Sequence, residues 1–255
     1  MGGTVRKVVL LILLLCGAAV LYAADPFFMR PVGTIFIDAG HGGNDPGAVA
    51  EFETLQLEEK NINLSIAKQT KAILQELLPE VEIVLTREDD SYISLWNRTH
   101  IANSRRSEPG FSKLFVSIHA NASDIEGVEG YEIWKLDPRV EMDLVTSFVS
   151  ERDLLSWTNR LNDTLNEELD TATGLLAERV RSALQAELGQ VTRDRGIKEG
   201  YFHVIEQALM PSILIEMGFL TTESEALRLN SPEGQEKLSN AIAAGILSYM
   251  ELITE

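Results

Sequence analysis

Three short apolar runs in this sequence each end on a residue that can bind a metal or move a proton. Thr34 to Asp38 leads into His41, Leu114 to Ile118 into His119, and Ile213 to Ile215 into Glu216. In an open α/β sheet ligands gather at the ends of strands, so loops there would bring two imidazoles and a carboxylate together from distant parts of the chain. Two histidines with one carboxylate form a catalytic zinc set that leaves a fourth position for water, and a further carboxylate can serve as general base. Only four histidines are available, His41, His100, His119 and His203. His100 lies in the polar stretch Asn97 to His100 and His203 in a short β run, and both are read as structural. Residue chemistry alone leaves Glu58, Glu59 and Glu216 open for the carboxylate roles.

The loop from Gly40 to Gly47, containing His41, Asn44, Asp45 and Pro46, is rich in turn residues, and its glycines let the backbone pass close to a metal or substrate. It is not a phosphate loop, because the Lys-Ser/Thr pair such a loop requires is missing.

Elements able to position these residues are legible as period-2 and period-3.6 patterns. Strands are predicted at Thr34 to Asp38, Glu82 to Thr86, Leu114 to Ile118, Tyr131 to Trp134, His203 to Ile205 and Ser212 to Ile215. Helices are predicted from Ile62, Ile66, Ile73 and Leu77, starting near Glu58; from Leu176, Val180, Leu184 and Leu188; and from Leu238, Ile242, Ile246, Tyr249 and Ile253. The last is entered through Ser231 as N-cap and Pro232 in the first turn. Strands separated by helices give the α/β class, and no internal repeat or second boundary divides the chain.

The 255 residues, 45% hydrophobic and 24% charged, suit one good-sized globular domain. A net charge of -17 argues against nucleic acid as a partner. The first 24 residues are laid out as a secretory signal peptide: Arg6 and Lys7, the apolar run Val8 to Leu15, then small residues to Ala24. The stretch Val8 to Ala24 is almost long enough to remain as an uncleaved membrane anchor. Cleavage would lower the charge to -19, since it removes two bases and no acid. It would also remove Cys16, the one cysteine, leaving no disulfide and no thiolate metal site. Residues 25–33 form a linker, so the protein is expected to be exported, to the periplasm or cell wall, and to meet a membrane only if the leader is uncleaved.

Five ordered motifs now make the chain resemble a known family. Asp38 to Gly43, Glu59-Lys60, Leu85 to Arg87 followed by Asp90 and Arg98, Ser117 to Asn121, and Pro211 to Phe219 resemble the zinc-dependent N-acetylmuramoyl-L-alanine amidases. The resemblance runs from about Thr34 nearly to the C-terminus. It implies a central, mostly parallel six-stranded sheet flanked by helices over residues 34–255. It implies one zinc per chain on His41, Glu59 and His119, with Glu216 as catalytic acid/base. The bond cut would be the peptidoglycan amide between the lactyl group of N-acetylmuramic acid and L-alanine of the stem peptide, in wall remodelling or daughter-cell separation. Asp38 and Asn121 stand close to the histidines in sequence, as groups fixing ring orientation or holding their loops. Arg87, Arg195 and Lys198 match family positions and suit acidic groups of the peptide, whereas Arg98 is read as a structural anchor.

One departure from the plain family pattern is a helical insertion at about residues 135–174. Val145, Phe148 and Val149 form one apolar stripe, and Leu154, Trp157, Leu161, Leu165 and Leu169 a second, in a segment Lys135 to Asp170 with nine acids and four bases. In location it resembles the regulatory segment of division-associated members. The expectation is a helix within Glu141 to Asp170 that covers the zinc cleft until an activator protein displaces it; a surface excursion packed on the domain is the plainer alternative. Rival functions are another zinc peptidase or deacetylase acting on wall fragments, and a wall-binding regulator with a dead site.

Overall fold

The apolar runs assemble into one sheet in the computed structural model, which describes residues 26–53, 55–144 and 152–254, without the side chains of 152–160. The expected leader 1–24 and the stripe Val145, Phe148 and Val149 lie outside the described residues, as do the side chains of Leu154 and Trp157. Along the chain come β1 (Val32–Ala39), β2 (Val49–Phe52), β3 (Leu55–Glu58), α1 (Glu59–Leu77), β4 (Glu82–Leu85), α2 (Leu95–Ser104), β5 (Ser112–Asn121) and β6 (Tyr131–Leu136). They are followed by α3 (Arg152–Leu188), β7 (Asp194–Gly200), α4 (His203–Glu206), β8 (Ser212–Phe219), α5 (Glu223–Asn230) and α6 (Pro232–Leu252). The main sheet has six strands in the order β4-β1-β5-β8-β6-β7, and β2 with β3 forms a separate hairpin. All neighbours in the main sheet are parallel except β6 with β8. The mostly parallel six-stranded sheet flanked by helices is therefore observed.

Strand alternation sorts the chain into two unequal layers. Ile35, Ile37, Leu114, Val116, Ile118, Ile133, Ile213 and Ile215 point to one face, where α1, α3 and α6 bury Ile66, Leu74, Val180, Leu184, Ile242 and Ile246 against them. Phe36, Phe115 and Leu214 point to the other face, against Ala102 of α2 and Val204 and Ile205 of α4. The second layer is thin because α2 and α4 are short. By the same alternation Asp38, Ser117, His119, Glu132 and Glu216 fall on that thinly covered face, which leaves room for a cleft.

Two predicted elements are corrected. His203 to Ile205 is not a strand but the start of α4, because neighbouring Val204 and Ile205 are both buried; a helical turn can aim both at the core, whereas a strand would send one outward. The sixth strand is instead Asp194–Gly200, whose charged sequence hides it from an apolar-pattern search. It is an edge strand, where charge is favoured because an apolar edge invites further pairing.

The insertion is also corrected in shape and place. No break precedes Leu175: the stripe Leu161, Leu165, Leu169 runs on through Leu176, Val180, Leu184 and Leu188 in one 37-residue helix, α3. Its C-terminal half lies across the sheet, with the Tyr131 hydroxyl donating to Gln185 at 3.1 Å. At ~1.5 Å per residue the rest must then run past the far end of the strands. There Leu169 and Ala172, with Leu165, pack against Phe28, Met142, Leu136 and Leu144. A cavity of about 280 Å³, lined in part by Leu136, Met142, Leu169, Thr173, Ile205 and Ser212, marks the same end. Ser212 opens β8, four residues before Glu216, so it lies about 13 Å down the strand at ~3.3 Å per residue. The described part of residues 141–170 thus sits at the opposite pole from the histidines and does not cover their cleft.

Candidate metal centre

His41 stands just past the end of β1, in a tight loop where its own φ is 60° and Gly42, Gly43 and Gly47 all have positive φ. A side chain at Gly40 is forbidden by the His119 ring, which would lie 2.2 Å from its Cβ; at Gly47 the Cβ would meet Glu59 at 2.4 Å. The glycines expected to allow close approach therefore do so to the site's own side chains. Glu59 is the first residue of α1, where the helix dipole favours a carboxylate. Ala48 N–H donates to its Oε2 at 2.8 Å and Ala120 N–H to its Oε1 at 3.1 Å. Glu58, by contrast, is turned to solvent, where it accepts from Asn61 and pairs with Lys60.

These elements bring His41, Glu59 and His119 together as one potential metal-binding group, with ligand atoms all within 4.8 Å of one another. His41 Nε2 lies 3.1 Å from Glu59 Oε2, and His119 Nδ1 lies 2.9 Å from Glu59 Oε1. Burial alone would lower the His41 pKa, but hydrogen bonding and attraction to Glu59, aided by Asp45, raise it to about 9. For Glu59, burial is opposed and outweighed by the two histidines, which hold its carboxyl well below the usual range. Three ligands compressed around one point, with the carboxylate ionised, form a donor set that fits a divalent ion. Asp45 accepts from His41 Nδ1 at 2.9 Å, an arrangement that orients the ring with Nε2 toward Glu59 and the shared centre.

Glu216 faces this cluster from β8, in backbone register with His119. Burial pushes its pKa up to about 7; His119 opposes the rise, and the negative charges of Glu59 and Glu132 add to it. Its Oε2 is buried and has no hydrogen-bond partner among the described residues. A carboxyl group that titrates near neutrality, with one oxygen unsatisfied, is suited to exchanging a proton with a ligand.

The other expected residues have more specific tasks than their sequence positions suggested. Asp38 does not touch either imidazole. It is fully buried and accepts from Thr86 at 2.7 Å, Ser117 at 2.7 Å and Arg98 at 2.8 Å. Burial would raise its pKa, and Arg98 with the two hydroxyls lowers it. Arg98 passes this hold onward by donating to the carbonyls of Ala39 at 2.7 Å and His41 at 2.6 Å, so its structural assignment holds. Arg87 is likewise buried and donates to the carbonyls of Ala39, Gly40 and Lys60. Its expected part in binding acidic peptide groups is replaced by one of pinning the His41 loop to α1.

Glu132 was missed. It is 2% exposed, in register with Glu216, and accepts from Arg195 and Lys198, each at 2.5 Å. Trp134 Nε1 donates to it at 3.1 Å and Asn121 Nδ2 at 3.4 Å. Asn121 therefore contacts Glu132 rather than a histidine ring, and Arg195 and Lys198 are held at the lip of the site as counter-ions of a buried acid. A charged residue between Tyr131 and Ile133, on the face that alternation assigns to Glu216, was the available signal.

Comparison with known proteins gives one consistent answer. The profile of a family described as N-acetylmuramoyl-L-alanine amidase matches residues 35–248. The chain is 34% identical to the uncharacterized protein YqiI of Bacillus subtilis, over 94% of this chain and 96% of YqiI. It is 35% identical to the N-acetylmuramoyl-L-alanine amidase LytC of the same organism, over 85% of this chain but only 35% of LytC. Among solved structures it is similar to the N-acetylmuramoyl-L-alanine amidase AmiC2 of Nostoc punctiforme, with 32% identity, a TM-score of 0.65, and coverage of 86% of this chain and 97% of that one.

Proposed function

The chain belongs to the N-acetylmuramoyl-L-alanine amidase family, and from that premise we propose a one-zinc peptidoglycan hydrolase that cuts the amide between N-acetylmuramic acid and L-alanine, with Glu216 moving the proton. The observation that carries this reading is the His41, Glu59 and His119 cluster facing a buried Glu216 oxygen without a partner. Zinc, when held by those three residues, supplies a Lewis acid that polarises the amide carbonyl and makes water a stronger acid.

The chain's own residues account for the rest. Ionised Glu216 accepts the proton of the attacking water, and the resulting carboxylic acid donates it to the leaving nitrogen of L-alanine, so the group ends as it began. A pKa near 7 suits both halves of that exchange. Asp45 holds His41 in one orientation, Arg87 and Arg98 fix the loop that carries it, and Glu132 keeps Arg195 and Lys198 where carboxylates of a stem peptide can reach them.

Family membership implies an extracytoplasmic location, and no helix among the described residues is long and apolar enough to cross a membrane. Export by residues 1–24, as a cleaved signal or retained anchor, completes the proposal. So does a protein partner acting on residues 141–170, whose described part lies at the far pole. Wall remodelling or daughter-cell separation is the setting we propose. Digestion of purified sacculi with and without added zinc tests the function. Zinc-dependent release of free stem peptides beginning with L-alanine is expected; release of acetate, or of nothing, would overturn it.

A further inference from the structure

Beside the metal cleft the surface carries large side chains that the fold does not use. Trp96 is 60% exposed, and Tyr92 and Leu95 are each 55% exposed. An exposed cluster of this size is informative in a way that a lone exposed leucine is not. Tyr92, Ile93 and Leu95 line the same cleft of about 150 Å³ as His41, Asp45 and His119. The backbone of Tyr92 also packs on Gly43 of the histidine loop, at 2.7 Å from where a Cβ there would be. Tyr92 and Leu95 thus belong to the metal cleft, and Trp96 is the next residue after Leu95 at the start of α2.

Its geometry is specific. Trp96 is stacked on His100, four residues on along α2, with ring centroids 4.4 Å apart and planes 13° apart. The imidazole covers one face of the indole and holds it flat, leaving its other face to solvent. His100, which has no part in the metal cluster, acquires a role as that backing plate. A rigid aromatic face beside a polar rim is a platform for a flat ligand that is apolar on its faces and polar at its edges. A pyranose ring fits that description: its C–H groups lie on the faces and its hydroxyls at the rim. The chain flanking Tyr92 and Trp96 carries Asp89, Ser91 and Asn97, all exposed, together with Asp90, which Lys60 and the Gly43 N–H hold; these supply hydrogen-bonding groups, and the two acids oppose an anionic lipid surface.

We propose that Trp96, backed by His100 and continued by Tyr92, is a stacking subsite for a sugar of the peptidoglycan glycan strand, laid beside the metal cleft so that the stem peptide enters it. The inference rests on the amidase reading above for the identity of the polymer, but its test does not. Peptide-free oligomers of N-acetylglucosamine and N-acetylmuramic acid, which contain no bond for the enzyme to cut, are titrated calorimetrically into the full chain. Wild type binds; Trp96→Ala weakens binding about tenfold or more, a change of ~1.4 kcal/mol; Trp96→Phe, which keeps a flat face, retains most of it. Trp96→Ala raises KM with kcat little changed both on sacculi and on a single N-acetylmuramoyl-peptide unit, which keeps the sugar that bears the peptide. Equal glycan binding by wild type and Trp96→Ala overturns the proposal, as does a Trp96→Ala protein whose kcat falls on both substrates together with its melting temperature. If wild type binds the glycan but releases no stem peptide, the amidase reading fails and the subsite stands.

Discussion

The two ends of the sheet are built from different materials. At the metal end Asp38, Glu59, Arg87, Arg98 and Glu132 are all buried, and each is held by several hydrogen bonds. At the far end Phe28, Met142, Leu165, Leu169 and Ala172 form a small apolar cluster beneath α3. There Asn166 ties the loop to the helix, accepting from Met142 N–H and donating to its carbonyl, each at 2.9 Å. A buried charge is tolerable only while all its partners remain, whereas an apolar cluster yields gradually as methyl groups are removed. Damage at the first end should therefore act on chemistry, and on stability as well where a buried pair is broken, whereas at the second it should act on stability alone.

The sharpest test of that division is the loss of a ligand. His119→Ala should abolish stoichiometric zinc, measured by atomic spectrometry on the purified protein, and hydrolysis of sacculi with it. Retention of one zinc per chain would remove His119 from the site and with it the claim that this pole is organised around a metal.

Glu216→Gln comes next and separates chemistry from stability within one residue. Hydrolysis should fall ~10² to 10⁴-fold while zinc is retained, as for loss of a general base. Stability should move the other way. The Glu216 pKa of about 7 in the fold is above its ordinary 4.5, so the folded protein binds this proton more tightly than the unfolded chain does. That stabilisation is fully present below about pH 4.5 and disappears as pH rises through 7, a difference of roughly 3 kcal/mol in metal-free protein. Metal-free Glu216→Gln should therefore melt above wild type at pH 8, and the gap should close at pH 4.5. A melting difference independent of pH would show that the carboxyl is not strained by burial.

Arg98→Met should have a smaller effect on hydrolysis than either, but a large one on folding. It leaves Asp38 buried with only its two hydroxyl donors and takes the Arg98 donors from the carbonyls of His41 and Ile93, while that of Ala39 keeps Arg87. Breaking a buried pair in this way costs ~3 to 5 kcal/mol, to be measured by denaturant unfolding. The double variant Asp38→Ala with Arg98→Met should recover part of that loss, because no lone charge then remains. Full additivity of the two single losses would deny the pairing.

The contrast between the poles also explains which parts were legible in the sequence. The metal end announces itself because its chemistry needs particular residues: only glycine fits at 40 and 47, and the ligands end apolar runs. Glu58 could not be told from Glu59 until the start of α1 fixed which carboxyl turned inward. Glu132 escaped because its partners Arg195 and Lys198 are over sixty residues away on an edge strand that is itself polar. The far pole has no such signature. An apolar stripe at helical spacing says that one face is covered but not by what, so the helix was legible and its location was not. Only the antiparallel turn of β6, which carries the chain back to the far end before α3 starts, decides it.

The last prediction exploits that location. Leu169 is 7% exposed within the far cluster, so Leu169→Ala should destabilise the protein by ~2 to 5 kcal/mol, with a lower melting temperature and a looser contact between α3 and the 137–144 loop. Its effect on turnover should be the smallest of the series. Leu169 lines the same cavity as Ser212, at the start of β8 and about 13 Å from Glu216 along a stretch where the β5–β8 register is regular. At a temperature where the variant remains folded, kcat and KM on sacculi should stay within about twofold of wild type. A lid would behave in the opposite way, since loosening its anchorage would raise the open fraction and basal hydrolysis together. An increase of tenfold or more in Leu169→Ala would therefore mean that residues 141–170 reach the cleft in solution and that the two poles are coupled; unchanged turnover in a weakened fold would mean that they are not.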